Sequence, residues 1–420
     1  MRDQISDWSK LADSRLANRG ARIAAIAILL AVVALGTLFL TSGSPDDPRF
    51  WPVLISGLLL ASLASVPAVV LIRYLDRRDP EPWSIAALAY LWGATVATGF
   101  GLVLRSMAVE PLFRIFDESA ALFTPTQFGL EITDRGVLFD WLETALAAPV
   151  IEESIKALAL ILLAILFPAL ISGVRDGVIY GALVGLGFAV METALYIGSW
   201  YADAGISSYM GQLVPRFVFF GVNGHLIYTA LFGAAFGLAK EYTRRGWVAK
   251  TLTVFGGLLL AISAHAMSNA FGPVSLIVLV SLFGIDPGYL NFGELWWLSA
   301  LEVFLTYSWA YVILIYLTVR SGYSDLDIIK IELALERPPV VTHPERPLIE
   351  AEGLWRLRRL PWLSRRASAR VVRAQNRLAF RRRLMQRNGR PIDTDGALTR
   401  LRGHIVATRD VAGNRSADPN

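Results

Sequence analysis

Apolar runs of spanning length recur along this chain, at about 21–41, 52–75, 84–106, 145–171, 177–198, 213–239, 251–272 and 295–319. A helix rises about 1.5 Å per residue and a bilayer core is about 30 Å thick, so each run can cross. The expected fold class is therefore all-α: a polytopic transmembrane helix bundle of about eight helices. Composition agrees, since 54% of the 420 residues are hydrophobic and 18% charged, too apolar for an ordinary soluble protein. The first run has an apolar core of roughly 20 residues and no clear small-x-small cleavage site, so it is read as a helix that stays rather than a signal peptide. Two regions stay open: Gly136–Ala148 as a short helix ahead of Pro149, and Val274–Ile285 as an extension or a re-entrant piece after Pro273.

Loop charge sets the orientation. Basic residues fill alternate connections: Arg2, Lys10, Arg15, Arg19 and Arg22, then Arg73, Arg77 and Arg78, then Arg175, then Lys240, Arg244, Arg245 and Lys250, then everything after Arg320. The other loops are acidic or neutral. Both termini are thus expected in the cytoplasm, with 1–20 a cytoplasmic segment, 21–320 the membrane domain and 321–420 a basic, partly disordered cytoplasmic tail. That tail carries 20 Arg and Lys against 11 Asp and Glu, while the first 320 residues carry 20 against 24. Its first part, Ile328–Arg346, ends in a Pro-rich linker, PPVVTHPERP, and a Trp-, Leu- and Arg-rich stretch follows. As a helix this stretch could lie on anionic lipid; the alternative is a solvated tail that supports orientation. No nucleic-acid motif accompanies it.

Several polar groups interrupt the apolar runs. Glu152, Glu153 and Lys156 form EExxK, Phe188 and Glu192 form FxxxE, His225 lies in NGHLIYTALFG, His265 and Asn269 form HxxxN, and Glu302 sits in the last run. A charge at bilayer depth costs at least ~2.5 kcal/mol, so such groups mark a functional site by default. Residues four apart share a helix face, which lets Lys156 reach Glu152 and Glu153. The bland alternatives are a glutamate pair favouring a helix dipole, a histidine bonding between helices, and an interfacial place for Glu302. Counting along each helix puts Glu192 and His265 roughly 10 Å, and His225 roughly 18 Å, below the outer surface.

The chemistry is narrowed by what is missing. With no cysteine there is no disulfide, thiolate site or cysteine nucleophile. GxSxG and HExxH are absent. His225 and His265 with a glutamate could form a His₂Glu zinc site. The other option is a carboxylate-activated water, one glutamate of the pair being the general base, with histidine and Asn269 bonding the developing oxyanion. Either hydrolyses an amide without a covalent enzyme intermediate.

EESIK, FAVME, His225 in its Gly-flanked apolar helix and HAMSN, in that order, resemble the PrsW-type intramembrane proteases, within the clan of CAAX prenyl endopeptidases and their bacterial relatives. The loop YLDRRDPEPWSIAALAYLWGA adds to the likeness, which covers about Arg73 to Asn269. FxxxE in place of FxxxH favours the PrsW branch. The resemblance implies a glutamate-dependent membrane protease that cuts a single-pass, anti-sigma-factor-like protein on its extracytoplasmic side, in a bacterial inner membrane. Glu152 and Glu153 would activate water with support from Lys156. Glu192, His225 and His265 would complete the centre, and Asn269 would orient or stabilise. No cofactor is expected. Zinc is the candidate metal, with His225, His265 and Glu192 as ligands if one is held. Partners are then the membrane-protein substrate and lipid, with no nucleic acid. The competing readings are a non-catalytic transporter or receptor, which inverted repeats would favour, and a pseudo-protease scaffold acting through its tail.

Overall fold

The computed structural model describes residues 35–38, 47–120, 135–241, 246–286 and 290–416, and among them regular structure is helical apart from one isolated bridge, Gly353–Arg356. The first apolar run, at 21–41, and the basic residues before it lie almost wholly outside the described residues. The bundle is built from α1 (Phe50–Ala64), α2 (Val66–Leu75), α3 (Trp83–Leu91), α4 (Thr98–Ala120), α5 (Arg135–Leu142), α6 (Ala148–Leu166), α7 (Val174–Ala204), α8 (Ser207–Phe217), α9 (His225–Glu241), α10 (Trp247–Leu282) and α11 (Phe292–Ala334). α3 passes into α4, and α5 into α6, through π-helical turns at Trp92–Ala97 and Glu143–Ala147.

Four described helices are long and apolar enough to cross a membrane, in α3–α4, α7, α10 and α11, or five if the bent pair α1–α2 counts as one span. Of the eight runs read from the sequence, the first lies almost wholly outside the described residues, and two others differ for physical reasons. α6 carries Glu152, Glu153 and Lys156, and its 19 residues leave no stretch of spanning length free of them. The run at 213–239 is not one helix: it is α8 and the 17-residue α9, separated by a turn through positive φ at Phe220, Gly221 and Gly224. That exposed backbone is satisfied from α11, as irregular backbone at membrane depth must be. Tyr311 donates to the Val222 carbonyl at 2.7 Å, Trp296 to the Val218 carbonyl at 3.1 Å, and Tyr307 accepts from the Gly224 amide at 3.2 Å. α11 itself leaves helical geometry at Tyr307, the residue that makes the last of these bonds. Val274–Ile285 proves to be an extension: α10 runs through Pro273 to Leu282.

α7 is the central helix, and small residues explain why. Gly177, Gly181 and Gly185, four apart, form a stripe against the α9 backbone. A Cβ at Gly177 would lie 1.9 Å from the Gly233 carbonyl oxygen, and one at Gly185 would lie 2.2 Å from that of His225. Only bare backbone permits this approach, which fixes His225 against the helix that carries Glu192.

The basic connections meet at one end of the bundle. Arg175 pairs with Asp325 at 2.6 Å, Arg78 donates to the Gly353 and Leu354 carbonyls at 2.8 and 2.7 Å, and Glu241 accepts from the Val174 amide at 2.9 Å. The described part of the tail, through Ser416, holds helices and a core of its own. The boundary placed at 320 falls inside α11, whose Ile329 and Leu333 enter the core of a second cluster. That cluster is completed by α12 (Arg346–Glu350), α13 (Arg365–Arg387) and α14 (Gly396–Ser416). The Pro-rich stretch belongs to it, with Val340 and Val341 buried. Much of the tail's basic charge is internal: Arg358 meets Glu352 at 2.6 Å, and Arg382 meets Glu332 and Glu336 at 3.1 and 2.8 Å.

Asp395 caps α14, accepting from the Leu398 amide at 2.8 Å and from Arg381 at 2.6 Å. Burial pushes its carboxyl up, but Arg381 and the Leu398 amide outweigh burial and hold it below the usual carboxylate range. Its contribution is thus present at neutral pH and is lost as pH falls through that depressed value. Asp395→Ala is expected to weaken α14 by about 1 kcal/mol. Faster amide exchange across 396–416 at pH 7, with the difference from wild type shrinking in acid, checks this.

Candidate active site

The polar groups singled out in the sequence converge. Lys156, with no exposed side-chain surface, donates to Glu153 at 2.8 Å, to Glu152 at 3.4 Å and to His225 Nδ1 at 3.0 Å. Its ammonium also lies 3.5 Å from the centre of the Phe188 ring. Phe188 and Glu192, one face of α7, therefore both serve the site: Phe188 covers the cation, and Glu192 meets His225 Nε2 at 2.7 Å. Lys156 can only donate, so His225 Nδ1 accepts and Nε2–H donates to Glu192, which fixes the tautomer. From α10, His265 Nδ1 lies 3.2 Å from Glu153 and Nε2 lies 3.9 Å from Glu152. Against an acceptor-only carboxylate, Nδ1 carries the hydrogen and Nε2 turns its lone pair toward Glu152. The two imidazoles meet edge to face, with centres 4.7 Å apart.

Depth now reads differently. His225 is the first residue of α9 because the chain breaks just before it, so it does not lie 18 Å down a continuous helix. Counting from the basic end of each helix puts Glu153, Glu192, His225 and His265 all roughly 20–27 Å from that end, in the far half of a ~30 Å core.

Asn269 and Glu302 each contact a neighbouring segment. Asn269 donates its amide to the Thr144 carbonyl at 2.9 Å, holding the π-helical turn that leads into Glu152. That bond uses one of the two amide hydrogens, an orienting contact. Glu302 is half-buried against α10, where a Cβ on Gly272 would lie 2.9 Å from its Oε1.

Other groups were not singled out from the sequence. Arg216, inside the 213–239 run, is ion-paired with Glu192. Thr229, one turn after His225, donates to Glu153 at 3.0 Å; its four-residue spacing was the available signal. Tyr228 stacks on His265 at 5.1 Å. Arg105 grips Glu143 with bonds of 2.5 and 2.6 Å, tying α4 to the turn before α6. The spacing of those two residues, on different helices, gave no signal.

Exposure divides the carboxylates. Glu153 is 1% exposed, while Glu152 and Glu192 are 11% and 14% exposed and reach a cavity of about 440 Å³ between α1, α4 and α7. Around the site three carboxyl groups meet one lysine and one arginine, Lys156 and Arg216.

Glu152, His225 and His265 each offer a ligand atom within 4.8 Å of the others. The sequence reading gave the carboxylate of this set to Glu192. The structure puts Glu152 there, because Glu192 takes the other nitrogen of His225, the place from which a carboxylate orients a ligating imidazole. Two imidazoles and a carboxylate fit a catalytic zinc-type ion in kind and number. His225 holds a partner on each nitrogen, so ligation exchanges Lys156 or Glu192 for the ion.

A buried cluster of acids, imidazoles and a lysine, open to a cavity inside an apolar helical bundle, equips an integral membrane protein for hydrolysis. The family model for the PrsW family intramembrane metalloproteases matches residues 81–290, half of the chain, and contains every residue of this cluster. The chain belongs to that family and is an intramembrane peptidase. Comparison with curated proteins and with solved structures returned no match.

Proposed function

We propose that the protein cuts a single-pass membrane protein of the anti-sigma-factor class, in a bacterial inner membrane, at the end of the bundle away from its basic loops. Both termini are then cytoplasmic and the cut is extracytoplasmic. The observation that carries this reading is Glu152: it alone of the adjacent pair faces the cavity, while Glu153 is sealed among Lys156, His265 and Thr229.

Glu152 is the general base. It takes a proton from water as the water oxygen bonds to the scissile carbonyl carbon, and the carbonyl oxygen gains the negative charge. His265 Nε2, 3.9 Å away, receives that proton and then faces the charged oxygen as a donor. His265 Nε2 then returns that proton to the leaving nitrogen as the C–N bond breaks, giving a carboxylic acid and an amine, which end as carboxylate and ammonium once the acid proton moves to the amine. Glu153 and Lys156 hold the imidazoles, Glu192 and Arg216 orient His225, and Asn269 sets the turn that aims Glu152. A bound metal, held by Glu152, His225 and His265, would polarise the carbonyl and acidify its water.

The tail adds a lipid contact. Trp355 and Trp362 are exposed alongside Arg356, Arg359, Arg365 and Arg366, and Tyr74 of α2 donates to the Trp355 carbonyl at 3.1 Å. Tryptophan and arginine at a headgroup boundary suit anionic lipid.

Purified protein in liposomes is expected to cleave single-pass peptides near one membrane surface, with the new termini read by mass spectrometry. Intact peptides across a broad panel would remove the proteolytic reading. Chelator decides metal use: lost cleavage restored by zinc assigns the ion to Glu152, His225 and His265, and unchanged cleavage assigns the chemistry to the carboxylate.

A further inference from the structure

The cavity above Glu152 contains a glycine, Gly101, at which no described residue stands in the way of a side chain. Gly101 lies inside α4, where glycine costs about 1 kcal/mol relative to alanine. Nearby glycines have a steric reason to lack a side chain. A Cβ at Gly93 would lie 1.9 Å from the Val184 carbonyl oxygen, and one at Gly99 would lie 2.1 Å from that of Gly36. At Gly101 the nearest atom among the described residues is Glu152 Cγ, at an ordinary 3.8 Å. Gly101 is nevertheless buried, and the space a side chain would fill opens into a cavity. That space is part of the cavity whose walls include Phe50, Leu102, Phe188 and Leu195 and whose floor presents Glu152 and Glu192. Its volume falls in the range of ordinary ligand pockets, about 300–1,000 Å³.

We propose that Gly101 determines specificity: the space above it seats the substrate side chain adjoining the scissile bond, in an unwound segment of the membrane protein. This rests on the proteolytic reading. The occupant is an extended peptide because the space is continuous with the carboxylate that activates water. Its apolar walls accept an aliphatic or aromatic side chain, and any side chain at position 101 projects over Glu152 and competes for the same volume.

The test uses the full chain in liposomes. The probes are single-pass Leu/Ala peptides whose flank carries one varied residue, from Gly through Leu to Phe. Wild type is expected to cut beside large residues. Gly101→Ala should narrow the range, and Gly101→Leu should retain cleavage beside Gly and Ala while losing about tenfold or more in kcat/KM beside Leu and Phe. Wild-type preference in Gly101→Leu would overturn the proposal. The chain has no cysteine, so Gly101→Cys supplies a unique thiol. It should react with a small water-soluble thiol reagent, and more slowly when peptide is present. An inert thiol in a protein that still cuts removes the seat at Gly101. A reactive thiol in a protein whose wild type cuts no peptide removes the proteolytic reading and the size filter with it.

Discussion

Glu152→Gln is expected to insert and fold like wild type yet cut a membrane-anchored peptide about 10²–10⁴-fold more slowly, the usual worth of a positioned general base. Glutamine keeps the shape and the bond from Lys156 but takes no proton from water. Glu152 faces the cavity, so its replacement leaves the sealed part of the cluster intact. Glu153→Gln should behave differently. Its carboxylate accepts from Lys156, Thr229 and His265 at 2.8, 3.0 and 3.2 Å, and a neutral amide leaves the buried ammonium short of charge. Cleavage and thermal stability in detergent should therefore fall together. Wild-type turnover by Glu152→Gln would end the assignment of the base. An undiminished melting temperature for Glu153→Gln would end the division of labour between the pair.

Lys156→Met is expected to destabilise the bundle by about 3–5 kcal/mol, because removing one partner of a buried ion pair strands the others. Methionine matches the lysine stem in length, so packing is nearly preserved and charge is what changes. The loss should be smaller in a Glu153→Gln background, where less negative charge is stranded, and the coupling between the two changes is the readout. Additive effects on denaturation would show that Lys156 and Glu153 do not act as a pair. The single mutant should also lose cleavage, since His225 forfeits the donor on its Nδ1.

The sequence made these residues visible because charge in an apolar run is costly and therefore conspicuous. Glu152, Glu153, Lys156, Glu192, His225 and His265 could all be read in that way, and they do meet. Arg216 and Thr229 obeyed the same logic but carried weaker signals: one lies near a run's edge, and the other is a residue that often bonds its own helix. Arg105 with Glu143, and Tyr307 with Gly224, are contacts between helices distant in sequence, and no local spacing reveals them. The tail misled because arginine content reads as solvated charge. Here Arg358 and Arg382 are neutralised inside a small core.

The sequence by itself determined that this is a helical membrane protein with acids and imidazoles at bilayer depth, because hydropathy and the expense of buried charge are properties of single segments. Tertiary structure decided which carboxylate faces the cavity, that His225 begins a helix after a break, and that the tail folds onto the basic end of the bundle. Each of those depends on how close two backbones can come and on which donors satisfy a broken turn, and these are set between segments rather than within them.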